Sequence, residues 1–315
     1  MSTITQLEYL LALDKERNFA RAAELCYVSQ PSLSNAIKKM EEELGVQIFD
    51  RSRKPIVPTE VGEKLLEQTR VILNEHKKLE HLANSATNEP TGDFHLGVIP
   101  TLAPYSLPLF LGNFVARYPK VQLKVSELQT HQILQKLERD ELDAGLLVTP
   151  LNIPKTQERV LFYEPFYAYV SRDHHLNDKE LIRDEDLSFE SLWLLEEGHC
   201  FRDQALKVCS MEQRSKSLSS IEFKCGNLET LKKLVQNNTG YTLLPHLATV
   251  DLTEEDKKQH LREFAVPVPT REVSLIVHQR FFKKSVLNAL EKVIKEAIPP
   301  ELTQPQRGVI RVVDL

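Results

Sequence analysis

The sequence predicts a multidomain chain: an α winged helix-turn-helix, a long linker helix, then an α/β domain of two Rossmann-like units. Three observations predict it. Two short apolar-striped helices precede a third that opens Ser29-Gln30-Pro31-Ser32, with a basic run at Arg51-Ser52-Arg53-Lys54 beyond it. A seven-residue apolar repeat follows at Leu65, Ile72, Leu79 and Ala86. From Phe94 onward, short apolar runs alternate with amphipathic stretches, the pattern of a parallel sheet covered by helices.

At 315 residues, with 41% hydrophobic and 27% charged, the chain suits two or three domains with real cores. Its net charge of −5 gives no bulk attraction to nucleic acid, so any such surface must come from local placement. The first residues lack a basic stretch followed by an apolar one, so no signal peptide is expected. No apolar run approaches the roughly 18 residues of a bilayer span. Four cysteines, none in a C-x-x-C pair, argue against a zinc ribbon or a disulfide-stapled scaffold. The expectation is a cytoplasmic protein with reduced thiols, no metal, no cofactor and no membrane partner.

In residues 1–58, Leu7, Leu10, Leu11 and Ala12 stripe a first helix. A second runs from Phe19 to Leu25, and Cys26, beyond it, is expected to be a small buried hydrophobe. Ser29 is a suitable N-cap, with Pro31 in the first turn where a missing N–H costs nothing. Leu33, Ile37, Met40 and Leu44 mark the buried face, and Gly45 ends the helix. Ser29, Gln30, Pro31, Ser32, Ser34 and Lys38 then face outward on a helix placed to enter a major groove of double-stranded DNA. Gln and Ser can read base edges or bond phosphate, and Lys38 suits phosphate. Short strands at Gln47–Asp50 and Pro55–Pro58 would carry Arg51, Arg53 and Lys54 on a basic wing. Glu41, Glu42 and Glu43 are expected on a solvated face.

Residues 59–90 form the linker, a helix from the Thr59 cap to about Ala86, ending in the hinge Asn88-Glu89-Pro90-Thr91-Gly92. The stripe Leu65, Ile72, Leu79 implies a partner helix, expected to be the same helix of a second subunit. Two recognition helices would then address two half-sites of a palindromic operator.

Residues 91–300 divide into one unit at 91–164 and 268–300 and another at 165–267. The first has strands at His95–Ile99, Val121–Glu127 and Leu142–Val148, and helices at Pro104–Tyr118 and Thr130–Asp140. The second has strands at Phe166–Val170, Leu192–Leu195, Ile221–Lys224 and Tyr241–Leu244, with helices from near Phe201 and Leu228. A strand at Val273–His278 and a helix at Lys283–Ala297 return to the first unit. Residues 301–315 lack periodicity and read as a flexible tail. Ligands of such sheets bind beyond the carboxyl ends of strands. Three stretches point there: Ile99-Pro100-Thr101, Glu127-Leu128-Gln129-Thr130-His131, and the loop ending in Cys200.

That loop leads into Gly198-His199-Cys200-Phe201-Arg202-Asp203-Gln204, with Cys209 completing a C-x8-C spacing. A helix from Phe201 would set Cys200 at its positive end, beside the Arg202 guanidinium, and both features favour thiolate. Nine steps of helix rise about 13–14 Å at roughly 1.5 Å each. A disulfide needs Cα atoms within about 7 Å. If these two cysteines bond to each other, the helix between them cannot survive, and one covalent bond converts one local fold into another.

The Gly-His-Cys to Arg-Asp-Gln run with its second Cys resembles the sensing segment of the OxyR family, the peroxide-responsive branch of the LysR-type regulators. Phe19 to Gly62 is similar to the LysR winged helix-turn-helix, with its Ala-Ala, Ser-Gln-Pro-Ser-Leu-Ser, Leu-Gly and Phe-x-Arg elements, and with Val61 for the more usual Ala. Asn238-Thr239-Gly240-Tyr241-Thr242-Leu243-Leu244-Pro245 resembles the Gly-x-Gly-Ile-x-x-Leu-Pro run of the LysR effector domain, itself like a periplasmic binding protein.

The resemblance implies a hydrogen-peroxide sensor that mainly activates antioxidant genes, and no enzyme. Cys200 would be oxidised to sulfenic acid and Cys209 would resolve it to a disulfide. Thr101 and Thr130 would bond peroxide, with His199, Arg202 and Asp203 completing the pocket. It further implies a homotetramer (a dimer of dimers), RNA polymerase as partner on activation, and a cellular dithiol of the glutaredoxin or thioredoxin type as reductant. Read from the residues alone, Thr101 and Thr130 are helix N-caps, and Arg202–Asp203 is a surface pair worth under about 1 kcal/mol. Cys225 has no counterpart in the family and reads as structural. A LysR regulator answering a metabolite in the cleft is the competing reading; a thiol peroxidase and a cysteine hydrolase are weaker ones.

Overall fold

The computed structural model describes residues 2–84, 89–188, 191–209, 225–304 and 308–314. The chain forms two compact units, Met1–Asn88 and Glu89–Leu315.

In the first unit, α1 (Ile4–Glu16) is capped by Thr3, α2 (Phe19–Leu25) by Asn18 and α3 (Gln30–Leu44) by Ser29. Each cap side chain accepts from a backbone N–H that the first turn leaves unpaired. Leu10, Leu13, Leu33, Ile37 and Met40 close the core. Leu44 does not join them: it is 46% exposed, because the last turn of α3 outruns the elements packed on it. Cys26 is half-buried rather than buried, though burial still raises its thiol. The strands β1 (Phe49–Asp50) and β2 (Val57–Pro58) pair antiparallel as the wing.

Glu41 departs from the expected solvated face. Its carboxylate is buried, accepts the N–H groups of Ile48 (2.8 Å) and Phe49 (3.2 Å), and pairs with Arg51 at 2.7 Å. The head of the wing has backbone donors to satisfy, and a buried carboxylate with a cation beside it satisfies them. Thr59 caps α4 (Glu60–Asn84). A Cβ on Gly62 would come within 2.0 Å of the Ile48 carbonyl oxygen, so only glycine lets α4 pass the wing. The expected end near Ala86 and the start of the hinge lie outside the described residues.

In the second unit, β3 (Gly92–Val98) lies parallel to both β4 (Val121–Glu127) and β5 (Ala144–Thr149). Helices α5 (Ala103–Arg117) and α6 (Thr130–Glu138) connect them. Two long strands, β6 (Thr156–Val170) and β10 (Val268–His278), pair antiparallel from Thr156↔His278 to Pro165↔Thr270. β10 also pairs antiparallel with β5, and β6 continues into pairing with β8 (Tyr241–Pro245) and β9 (Leu261–Phe264). The short strand β7 (Leu181–Ile182) runs parallel to β9.

Two apolar cores result. One gathers Phe94, Phe110, Leu146, Ile276 and Leu290 and includes Cys200. The other gathers Phe166, Tyr169, Leu231 and Tyr241 and includes Cys209 and Cys225. Between the cysteines runs α7 (Cys200–Val208). The helices α8 (Leu228–Asn237), α9 (Glu254–His260), α10 (Lys284–Ala297) and α11 (Pro300–Thr303) complete the unit.

Sequence reading shortened β6, which begins ten residues before Phe166, and missed α9, β7 and β9, where polar residues mask the period. Leu192–Leu195 is not a strand; Leu192 makes only an isolated bridge with Tyr241. The strand expected at Ile221–Lys224 lies outside the described residues.

The tail also departs from expectation. Within it β11 (Ile310–Val312) runs parallel to β10, and Val313 is buried in the second core. The Val313 N–H donates to the Thr270 carbonyl at 2.8 Å. Gln204 of α7, itself buried, donates to the Val313 carbonyl at 2.6 Å, and Arg311 pairs with Asp184 at 2.6 Å. One apolar anchor and an open edge of β10 suffice to order a segment with no period of its own. Removing residues 308–315 therefore uncovers a buried valine site and unpairs Gln204. The expected loss is about 2–4 kcal/mol, read by urea unfolding of the chain.

Candidate functional site

Gly198 begins the turn into α7 with φ +95, and a Cβ there would sit 2.9 Å from Gln129 Oε1. Glycine thus lets this turn lie against the head of α6. His199 occupies the N-cap position of α7, Cys200 is the first helical residue and Cys209 caps the end. Phe201, Gln204, Ala205 and Val208 give the helix its buried face, and Phe201 packs edge-on to Phe166 at 5.4 Å. All four cysteines are free. Nine steps of helix put Cys200 and Cys209 about 13–14 Å apart along the axis, each sulfur in a different core.

Burial pushes the Cys200 thiol up. The Thr130 hydroxyl, the Arg271 guanidinium and the Phe201 N–H work against that, while Asp203 adds to it. The helper cation is therefore not the expected Arg202, whose guanidinium turns away to donate to the Leu195 carbonyl at 2.8 Å. Arg271 comes from β10 and is fully buried. It donates through Nε to Glu164 Oε2 at 2.8 Å, through Nη1 to Thr101 Oγ1 at 3.1 Å and through Nη2 to the Thr101 carbonyl at 3.2 Å. Its guanidinium lies 5.6 Å from the Phe201 ring centre. Glu164, equally buried, accepts the Leu247 N–H at 2.7 Å with its other oxygen. Sequence reading missed this pair. The available signal was a lone acid in the strand run Phe162-Tyr163-Glu164-Pro165-Phe166 and a cation opening the run Arg271-Glu272-Val273-Ser274-Leu275, since a charge buried in a strand requires a partner.

The threonines are not N-caps. Leu102 precedes α5 without a side-chain cap, and Thr101, one residue earlier, accepts from Arg271 instead. Gln129 heads α6, its N–H donating to Gln132 Oε1 at 3.0 Å. Thr130 is the first helical residue, with its hydroxyl buried, turned to Cys200 and without a geometric hydrogen bond among the described residues. His199 is buried, and burial lowers its imidazole against the opposing pull of Glu196 and Glu127; Nε2 lies 3.8 Å from Glu196 Oε1. Asp203 is exposed on the outer side of α7. The structure thus brings Thr130 and Arg271 to Cys200, with Thr101 bonded to Arg271, while Arg202 turns to the Leu195 carbonyl and Asp203 acts on the thiol through its charge alone.

At the other end, Cys209 Sγ lies 3.7 Å from the Tyr241 hydroxyl. Burial pushes this thiol up to about 12. Cys225 donates to the Asn227 carbonyl at 3.1 Å and is packed in the second core.

In the winged unit, Ser29, Gln30, Pro31 and Ser32 are exposed at the head of α3, and Ser34 is half-buried. Lys38 is exposed, 3.6 Å from Glu42. Arg53 and Lys54 are exposed on the wing. Arg51 is not presented freely: Glu41 holds it, and it stacks over Phe19 at 5.2 Å. Along α4 the stripe splits. Leu66 and Leu73 enter the winged core with Leu65 half-buried against it, while Ile72 (41%) and Leu79 (67%) remain exposed.

The LysR substrate binding domain model matches residues 87–299, and the bacterial regulatory helix-turn-helix model of the lysR family matches residues 4–63. The chain belongs to the LysR family. Within it the chain falls in the OxyR group. It is 37% identical over 273 residues to the hydrogen peroxide-inducible genes activator of Dickeya chrysanthemi, covering 87% of this chain and 88% of that one. The same identity and coverage hold for the DNA-binding transcriptional dual regulator OxyR of Escherichia coli K12. Among solved structures, a full-length OxyR variant from Pseudomonas aeruginosa superposes with a TM-score of 0.77 at 34% identity, covering 95% of this chain and 99% of that one. A hydrogen-peroxide-bound OxyR variant from Corynebacterium glutamicum gives 0.61 at 27% identity, covering 94% and 92%. The chain is accordingly a LysR-type, DNA-binding transcription regulator.

Two outcomes follow from the charges. Arg271→Met leaves Glu164 buried without a counter-charge and is expected to cost roughly 3–5 kcal/mol in urea unfolding; adding Glu164→Gln should restore most of it. Because Cys209 keeps its proton in the folded state up to about 12, above the usual 9.0, the unfolded chain deprotonates first. Its contribution to stability is complete below pH 9 and lost as pH rises toward 12, so Cys209→Ser should flatten that alkaline fall.

Proposed function

We propose that the chain senses hydrogen peroxide through Cys200 and Cys209 and passes the signal to the DNA-reading unit. The observation that carries this reading is a pair of free, buried thiols at the two ends of one helix, the first beside Thr101, Thr130 and Arg271. Arg271 donates to the Thr101 hydroxyl, which leaves that hydroxyl's own proton available to a peroxide oxygen. The Thr130 hydroxyl is available in the same way.

The Cys200 thiolate attacks one peroxide oxygen: an S–O bond forms, the O–O bond breaks, and the departing hydroxide takes a proton to become water. Cys209 then attacks the sulfenic sulfur, forming the S–S bond and releasing the second water. Both sulfurs cannot reach bonding distance while α7 persists, so oxidation remakes the segment. The remade segment alters contacts between subunits of a homotetramer and hence the spacing of recognition helices on a palindromic site. Ser29, Gln30, Ser32 and Ser34 then read bases or phosphate, with Lys38, Arg53 and Lys54 on phosphate and Arg51 bracing the wing. Ile72 and Leu79 cover each other across a pair of α4 helices. RNA polymerase is engaged on activation, and a cytoplasmic dithiol of the glutaredoxin or thioredoxin type reduces the bond.

A brief stoichiometric peroxide pulse followed by peptide mapping should yield a crosslink between positions 200 and 209, and Cys200→Ser should abolish peroxide-induced transcription. Induction that survives this change would favour a metabolite-responsive regulator. Because burial holds the Cys200 thiol up, its thiolate fraction and oxidation rate should climb about tenfold per pH unit through neutrality. A flat rate between pH 6 and 8 would contradict a buried, protonated resting thiol.

A further inference from the structure

The chemistry above uses Cys209 without saying what restrains it. Tyr241 is the first residue of β8, opposite Val170 of β6, and is fully buried. Its backbone carbonyl accepts the Trp193 N–H at 2.8 Å, and its ring packs against His174 at 5.6 Å. The ring is therefore fixed. Among the described residues its hydroxyl makes two contacts, with the Ser188 carbonyl at 3.1 Å and with Cys209 Sγ at 3.7 Å.

A phenol has one proton, and a carbonyl can only accept. The Tyr241 proton goes to Ser188, so the Cys209 contact runs from the sulfur's proton to the tyrosine oxygen. Cys209 S–H, Tyr241 O–H and the Ser188 carbonyl form one directed chain inside the second core.

We propose that Tyr241 is a positioning residue for the second oxidation step: it holds Cys209 as a thiol at the end of α7 and sets how readily that sulfur is released to the oxidised Cys200. The proposal rests on the disulfide reading above. When Cys209 leaves, its proton joins the hydroxyl lost from the sulfenic acid as water, while the Tyr241 hydroxyl keeps its own proton and goes on donating to the Ser188 carbonyl. The hydrogen bond exists only in the reduced state, so removing it favours the disulfide.

The test compares full-length Tyr241→Phe with the unaltered chain. Sulfenic acid formation at Cys200, trapped with a dione probe, should be unchanged, because that step does not involve Cys209. Disulfide appearance should be about fivefold faster and the disulfide about fivefold more favoured, a potential about 20 mV more negative at 29.6 mV per tenfold. Alkylation of Cys209 in the reduced protein should also accelerate several-fold. Should Tyr241→Phe fold poorly, Tyr241→Ile gives the same readouts. An unchanged or slower disulfide step, or an unchanged Cys209 alkylation rate, overturns the proposal. If the unaltered chain forms no 200–209 crosslink, the disulfide reading itself fails, and the alkylation rate alone decides the role of Tyr241.

Discussion

A short stretch of α-helix keeps two thiols apart, and most of the regulatory unit bears on whether that helix stays wound. With nine residues, α7 is below the length at which an isolated helix holds in water. His199 offers it no side-chain cap. Its stability is therefore tertiary: Phe201 against Phe166, Ala205 and Val208 in the second core, and Gln204 against the C-terminal strand. A helix held from outside can be given up when a covalent bond offers more, and that is the physical condition for a switch.

The Arg271–Glu164 pair sets the other condition. Two full charges in a dry interior are tolerated only when paired and hydrogen-bonded, and here Thr101, Leu247 and the pair itself engage each guanidinium nitrogen and both carboxylate oxygens. Arg271 stands on β10 and Glu164 on β6, the two strands that run through both cores. The cation that opposes the burial of Cys200 is thus fixed by the most extensively paired strands of the sheet. Its ion pair with Glu164 and both of its bonds to Thr101 lie outside α7.

Much of this was legible in the sequence, and the remainder fails for identifiable reasons. Helix limits in the winged unit follow from caps such as Asn18, Ser29 and Gly45, whose chemistry is local. The C-x8-C spacing and the run around it are local too. Arg271 lies far along the chain from Cys200, and Arg202 stands next to it in sequence; proximity along the chain pointed to the wrong guanidinium. Glu41 shows the same limit, since three consecutive glutamates look alike until the wing's Ile48 and Phe49 N–H groups single one out. The tail lacks a period because it borrows its pairing from β10 and its anchor from one buried valine. Interactions fixed by neighbours in sequence were readable, and those fixed by sheet topology were not.

The partition of the two sulfurs between cores has a further consequence for the order of events. Cys200 packs with the first core and Cys209 with the second, and burial keeps both as thiols at rest. Two thiols cannot join without a two-electron oxidant, and a protonated thiol is in addition a poor nucleophile. On the proposed mechanism peroxide must enter beside Thr101 and Thr130 first, and Cys209 becomes a reactant only after it has left Tyr241. Loss of the helix then follows sulfenic acid formation and precedes the disulfide. A transient unwinding of α7 without oxidation returns to the resting fold, because no S–O bond exists for Cys209 to displace. On that mechanism the two-core arrangement makes the conformational change depend on chemistry at Cys200, and keeps thermal motion of a marginal helix from being read as a signal.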